Sequence, residues 1–134
     1  MWAELISAVA FHESGWKPTS RMKEPGLGTD PVTGQTVWSE GLLQLSYQDT
    51  EWARFCRFDW NRDKDLAPND PAKTILDPAL NLDCGVRILA GQIHRTHFVV
   101  LASGVYWSVL KEGGNHTKVA EIAAMTKKLP FCGV

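Results

Sequence analysis

Residues 2–16 read Trp2-Ala3-Glu4-Leu5-Ile6-Ser7-Ala8-Val9-Ala10-Phe11-His12-Glu13-Ser14-Gly15-Trp16. Trp2, Leu5, Ile6, Val9 and Ala10 recur at helical spacing, which predicts an amphipathic helix over 2–12. Gly15 and Pro18 stop it, so His12 and Glu13 fall on its last turn. A carboxyl at the end of an apolar helix is partly desolvated, and desolvation raises its pKa by penalising the charged form. An acid that keeps its proton near neutrality can protonate a leaving-group oxygen. Glycosidic bonds need that help, because a sugar alkoxide leaves poorly. A glutamate on a terminal helical turn is more often a solvated surface charge, so the assignment of Glu13 as an acid depends on what else the chain carries.

Working outward, residues 19–40 hold Pro25, Gly26, Gly28, Pro31 and Gly34 and read as a long loop with at most one short hairpin. A loop of this length in a compact domain is usually functional. Residues 41–46 are a short apolar stretch, and 49–57 predict a second helix with Trp52, Phe55 and Cys56 facing inward. Residues 58–75 read as another loop. Asp77-Pro78 supplies an N-cap and a proline at the first helical position. The helix behind it, 78–96, buries Leu80, Cys84, Ile88, Leu89 and Ile93, and Gly85 and Ala90 would let another helix approach. The apolar run 98–111 predicts a buried helix ended by Gly113-Gly114, and Asn115 or Thr117 caps a last helix carrying Val119, Ile122 and Ala123. The expected fold is mostly α, one domain over 1–134, with long loops, a small β hairpin at most, and no βαβ pattern.

Composition excludes several functions. The 134 residues carry a net charge of −1, which argues against non-specific nucleic-acid binding and against simple adhesion to an anionic surface. No apolar run approaches the roughly 20 residues of a membrane helix. No basic-then-apolar leader precedes the first helix, so an exported chain would have lost its leader or used another route. The six tryptophans suit core packing first, and a sugar-stacking cleft second. Cys56, Cys84 and Cys132 are odd in number and include no CxxC, which speaks against a zinc ribbon; one disulfide plus one buried thiol fits an exported chain and three reduced cysteines a cytosolic one, and the disulfide is the expectation, with the pair left open. Asp59, Asn61, Asp63, Asp65 and Asp70 alternate in the manner of a calcium loop, but Lys64 stands where glycine is wanted, and solvated loop charges are the simpler reading. The four histidines lack metal spacing, and no cofactor or metal is expected. No serine-histidine-aspartate or phosphate-loop motif appears.

Two further motifs accompany Glu13. Ser39-Glu40-Gly41-Leu42-Leu43-Gln44-Leu45-Ser46-Tyr47 runs from a glycine into an apolar stretch interrupted by one amide, which suits hydroxyl and acetamido groups of a sugar. Leu76-Asp77-Pro78-Ala79-Leu80-Asn81-Leu82-Asp83-Cys84-Gly85, followed by Leu89, is a well-capped core helix. In this order the three elements resemble the soluble lytic transglycosylase and goose-type lysozyme group of the lysozyme superfamily, over about residues 5–110. The resemblance implies a lysozyme-like domain whose cleft takes peptidoglycan glycan strands and cleaves the bond between N-acetylmuramic acid and N-acetylglucosamine. It implies that Glu13 is the general acid, that Ser14 contacts the sugar, and that Gln44 is the cleft glutamine. Leu43 stands for the usual methionine, a volume-conserving change. Gly104-Val105-Tyr106-Trp107-Ser108 is the nearest match to the family's Ala-Tyr-Asn-Ala-Gly. It aligns Tyr106 with the tyrosine beside the acid and puts Trp107 in place of the asparagine. The run to Tyr47 is also similar to chitinases of the superfamily, which makes Tyr47 a candidate sugar contact and keeps chitin-like substrates open.

An inverting hydrolase needs a second carboxylate about 6.5–9.5 Å from the acid, whereas lytic transglycosylases use the substrate's own hydroxyl. Glu40 is the expected second carboxylate, with Asp49 next. The leading reading is a periplasmic or secreted muramidase or lytic transglycosylase. The alternatives are a chitinase or chitosanase on the same fold and an inactive glycan-binding module. An inhibitor or immunity protein is an expected partner should the chain be an effector.

Overall fold

In a computed structural model of the chain, residues 1–129 are described. Helix α1 spans Trp2–Ser14 and buries Leu5, Ala8, Val9, Ala10 and Ser14. It ends because Gly15 takes φ 60° and turns its N–H back onto the carbonyls of Ala10 and Phe11. Strand β1 (Arg21–Lys23) pairs antiparallel with β2 (Trp38–Glu40), Arg21 facing Glu40 and Met22 facing Ser39. This is the hairpin expected within residues 19–40. Helix α2 (Trp60–Asp63) is one turn capped by Asp59, whose carboxylate accepts from the Arg62 N–H. Helix α3 (Pro78–Thr96) starts at Asp77, which accepts from the Leu80 N–H at 3.0 Å. Helix α4 (Val119–Lys127) packs against α1. The architecture is mostly α with a two-stranded sheet. No described helix is long and apolar enough to cross a membrane.

The loop between β2 and Ser46 is built by α3. Glu40 and Leu45 exchange backbone bonds at 2.7 and 2.9 Å, closing a tight turn in which Gly41 and Gln44 have φ 81° and 51°. Asn81 on α3 fastens that turn: its Oδ1 accepts from the Leu43 N–H at 2.8 Å, and its Nδ2 donates to the Glu40 and Ile75 carbonyls. A Cβ at position 41 would overlap the Asn81 amide, so glycine is required there twice over, by φ and by space. Gly85 on α3 leaves room for the Leu43 side chain. The expectation that Gly85 and Ala90 admit a second helix is therefore corrected: a loop leucine fills the space at Gly85, and Ala90 is exposed.

Two expected helices are absent. Residues 47–51 form a 3₁₀ turn and the chain beyond is irregular. Asp49 folds back to accept from the Ser46 N–H and hydroxyl at 2.8 and 3.2 Å, and Cys56 is bonded to Cys84, so tertiary ties override the helical pattern. Cys56 faces inward, but Trp52 is exposed. Residues 98–111 hold one 3₁₀ turn, Ser108–Leu110. β-Branched Val99, Val100 and Val105 and a left-handed Gly104 (φ 76°) disfavour a helix there. The burial expected from that apolar run survives in Trp107, Val109 and Leu110. The disulfide joins Cys56 to Cys84 across 28 residues, and Cys132 lies outside the described residues. By the chain-entropy argument a loop of that size is worth roughly 3–4 kcal/mol.

Candidate functional site

Glu13 stands on the last turn of α1, half-buried at the bend of a groove with two arms. One arm, about 280 Å³, is walled by Glu13, Glu24, Gln44, Asp49, Tyr106 and Trp107 among others. The other, about 450 Å³, shares Glu13 and Glu24 and adds His12, Ser108, Asn115, His116 and Lys118. Among the described residues no cation or hydrogen-bond donor is paired with the Glu13 carboxyl. Burial, and then the neighbouring charge of Glu24, push its pKa from 4.5 up to about 7. Near neutrality the side chain therefore holds a proton and faces open space.

Glu24 is the carboxylate across from Glu13, and the sequence reading did not select it. It sits just after β1, its N–H donates to the Val37 carbonyl at 2.8 Å, and its Oε1 accepts from the Ser39 hydroxyl at 2.9 Å. The signal available was its place in the long loop already marked as functional.

Gln44 lines the same arm as Glu13. Its Nε2 donates to the Gly41 and Ser20 carbonyls at 2.9 and 3.2 Å, which fixes the amide plane. Among the described residues no donor reaches its Oε1, so that oxygen is left as an acceptor. Tyr106 lines the arm as well and donates to Asp49 Oδ2 at 2.6 Å. Burial, then Asp49, hold the phenol well above its ordinary pKa, so it stays protonated. Asp49 also accepts from Ser46 and from Trp52 Nε1. Burial pushes its pKa up while those bonds pull it back. With four donors upon it, Asp49 anchors Tyr106 rather than standing free for chemistry. Trp107 donates from Nε1 to the Leu43 carbonyl at 2.7 Å, tying this arm to the Gly41 turn. The tryptophans divide: Trp107 is buried, whereas Trp2, Trp16 and Trp52 are exposed.

Three expected site residues stand elsewhere. Glu40 is 2% exposed, and its Oε1 accepts from Arg21 Nε and Lys73 Nζ, both at 2.6 Å. It lines a separate cavity of about 120 Å³ on the other side of the hairpin, with no share in the Glu13 groove. Tyr47 is buried and donates to Asp63 at 2.9 Å, with Phe58 and Trp60 edge-on to its ring. Ser14 donates to the Ala10 carbonyl at 2.9 Å, its hydroxyl turned onto its own helix. The reading of the residues at 59–70 as solvated loop charges holds for exposed Asp59, Asn61 and Asp65 and is corrected at Asp63. Asp59 caps α2, and Asp63 is 1% exposed, accepting from Tyr47 and from the Thr74 N–H and hydroxyl.

Neither a protein-family model nor a curated protein matches the chain. Among solved structures it is similar to Bd0314 DslA: to the wild type at 28% identity with TM-score 0.71, and to a glutamate-to-glutamine mutant at 26% with TM-score 0.73. Each comparison covers 98% of this chain and 67% of the matched one. A second such mutant matches at 27%. The glutamates replaced in the two mutants lie eleven residues apart, the same separation as Glu13 and Glu24.

Proposed function

We propose that the chain is a glycosidase of the lysozyme superfamily that cuts peptidoglycan glycan strands at the β-1,4 bond between N-acetylmuramic acid and N-acetylglucosamine, with Glu13 as general acid. One observation carries the reading: a carboxyl that burial keeps protonated to about pH 7 opens, beside Gln44 and Tyr106, onto a groove faced by a second carboxylate, Glu24. Glu13 gives its proton to the glycosidic oxygen as the bond to the sugar's C1 breaks, and the leaving sugar departs as an alcohol. Glu24, across the groove, stabilises the positive charge that develops at C1, and its charge adds to burial in raising the Glu13 pKa. In this scheme Glu24 replaces Glu40 as the second catalytic carboxylate. The free oxygen of Gln44 accepts from a sugar hydroxyl or amide N–H, and Tyr106 and Trp107, ring centroids 4.8 Å apart, give that arm an aromatic side. The disulfide supports a periplasmic or secreted setting.

The test is product analysis on purified peptidoglycan by mass spectrometry, with wild type and Glu13→Gln. The wild type is expected to release muropeptides, and Glu13→Gln none. Reducing ends would identify a hydrolase, and ends lighter by one water a transglycosylase. Equal release by both proteins would remove Glu13 from the chemistry.

A further inference from the structure

The two arms of the groove differ in charge. The smaller arm carries Glu13, Glu24 and Asp49 and no lysine, arginine or histidine. The larger arm adds His12, His116 and Lys118, with the amide of Asn115 among them. Lys118 is held in place by its own backbone, whose N–H donates to the carbonyl of buried Val109 at 2.8 Å. Among the described residues its ammonium has one partner, Glu121, at 3.9 Å, and both side chains are about half exposed. A pair so long and so wet is worth little, so the cation remains available to a ligand. Asn115 and His116 add neutral or cationic donors beside it.

Resting on the glycosidase reading above, we infer that the larger arm is the subsite for the carboxylate-bearing sugar, with Lys118 as its specificity-determining residue. The two sugars of a peptidoglycan strand differ in one way that matters here: one carries a lactyl ether at C3, and through it a peptide. That substituent brings a carboxylate, either of the lactyl group itself or of the peptide, and needs room. The larger arm supplies both the volume and the cation. The smaller arm has less room and no lysine, arginine or histidine in its lining. The carboxylate therefore fixes which of the two sugars lies on each side of Glu13.

Binding decides the point independently of turnover. In the Glu13→Gln background, titration would use three soluble ligands: a chitin tetrasaccharide without carboxylates, a peptide-stripped peptidoglycan tetrasaccharide with free lactyl carboxylates, and its peptide-bearing counterpart. Lys118→Ala is expected to weaken binding of a carboxylate-bearing ligand by about tenfold, in keeping with one charge-assisted hydrogen bond. It should leave the chitin tetrasaccharide unchanged, and Lys118→Arg should restore the difference. A loss confined to the stripped ligand identifies the lactyl carboxylate, and one confined to the peptide-bearing ligand identifies the peptide. Equal loss on all three, or none on any, overturns the inference. Failure of the wild type to release fragments from peptidoglycan would instead strike the glycosidase reading alone.

Discussion

The β hairpin separates two carboxyl groups, one buried and one half-buried, that share a residue type and little else. Side chains alternate across a strand pair, so Met22 and Ser39 face the Glu13 groove while Arg21, Trp38 and Glu40 face the second cavity. Glu40 is buried with two cations, Arg21 and Lys73, on one oxygen. Glu13 is half-buried, with no cation paired to it among the described residues and a second carboxylate for company, and its neutral form is favoured. Burial alone assigns neither role. What differs is whether the counter-charge comes with it: Glu40 has two cations and staples the hairpin to the loop that carries Lys73, whereas Glu13 has none and is the proton donor of the proposed reaction.

The comparison breaks most visibly at Glu13. Glu13→Gln should lower the rate of glycan cleavage by at least about a hundredfold, since a positioned general acid supplies that order of acceleration. Retained turbidity loss on a cell-wall suspension would end the assignment. Glu40→Ala should instead cost about 3–5 kcal/mol in urea unfolding, because it leaves Arg21 and Lys73 without their counter-charge. Folded Glu40→Gln protein should still cleave, and a loss as deep as that of Glu13→Gln would erase the distinction between the two sites.

Smaller effects sharpen the contrast. Activity needs the protonated Glu13, so the pH–rate profile should fall as pH rises through about 7. Glu24→Gln should move that limb to lower pH while leaving it above 4.5, because burial is the larger cause and remains. The same shift acts on stability. Below 4.5 the carboxyl is protonated folded and unfolded alike; above about 7 it is ionised in both, and the cost of burying the charge is fully present. Glu13→Gln should thus raise the Tm at pH 8 and leave it unchanged at pH 4. Tyr47→Phe removes one buried hydrogen bond to Asp63, and should cost about 1 kcal/mol with cleavage unaffected.

Much of this was legible in the residues. Helix α3 was readable from Asp77-Pro78 because capping chemistry is local, and Glu13's place on the last turn of α1 followed from Gly15. Gln44 and Tyr106 do line one wall with Glu13. What escaped depends on contacts far apart in sequence. The run 98–111 reads as a helix until Trp107 bonds to Leu43, 64 residues away. Glu40 looked free because nothing nearby in sequence announces Lys73, 33 residues on. Tyr47 looked like a cleft residue because its partner Asp63 stood among what read as solvated loop charges. Glu24 was overlooked for the opposite reason: its partner in function is Glu13, which only the hairpin's fold brings opposite.

The most direct measurement is a carbon-13 NMR titration of the Glu13 side-chain carboxyl in the folded protein. The account predicts a midpoint near 7 that falls when Glu24 is replaced by glutamine. A midpoint at the ordinary 4.5, indifferent to Glu24, would mean that Glu13 is a charged carboxylate at neutral pH and has no proton to give.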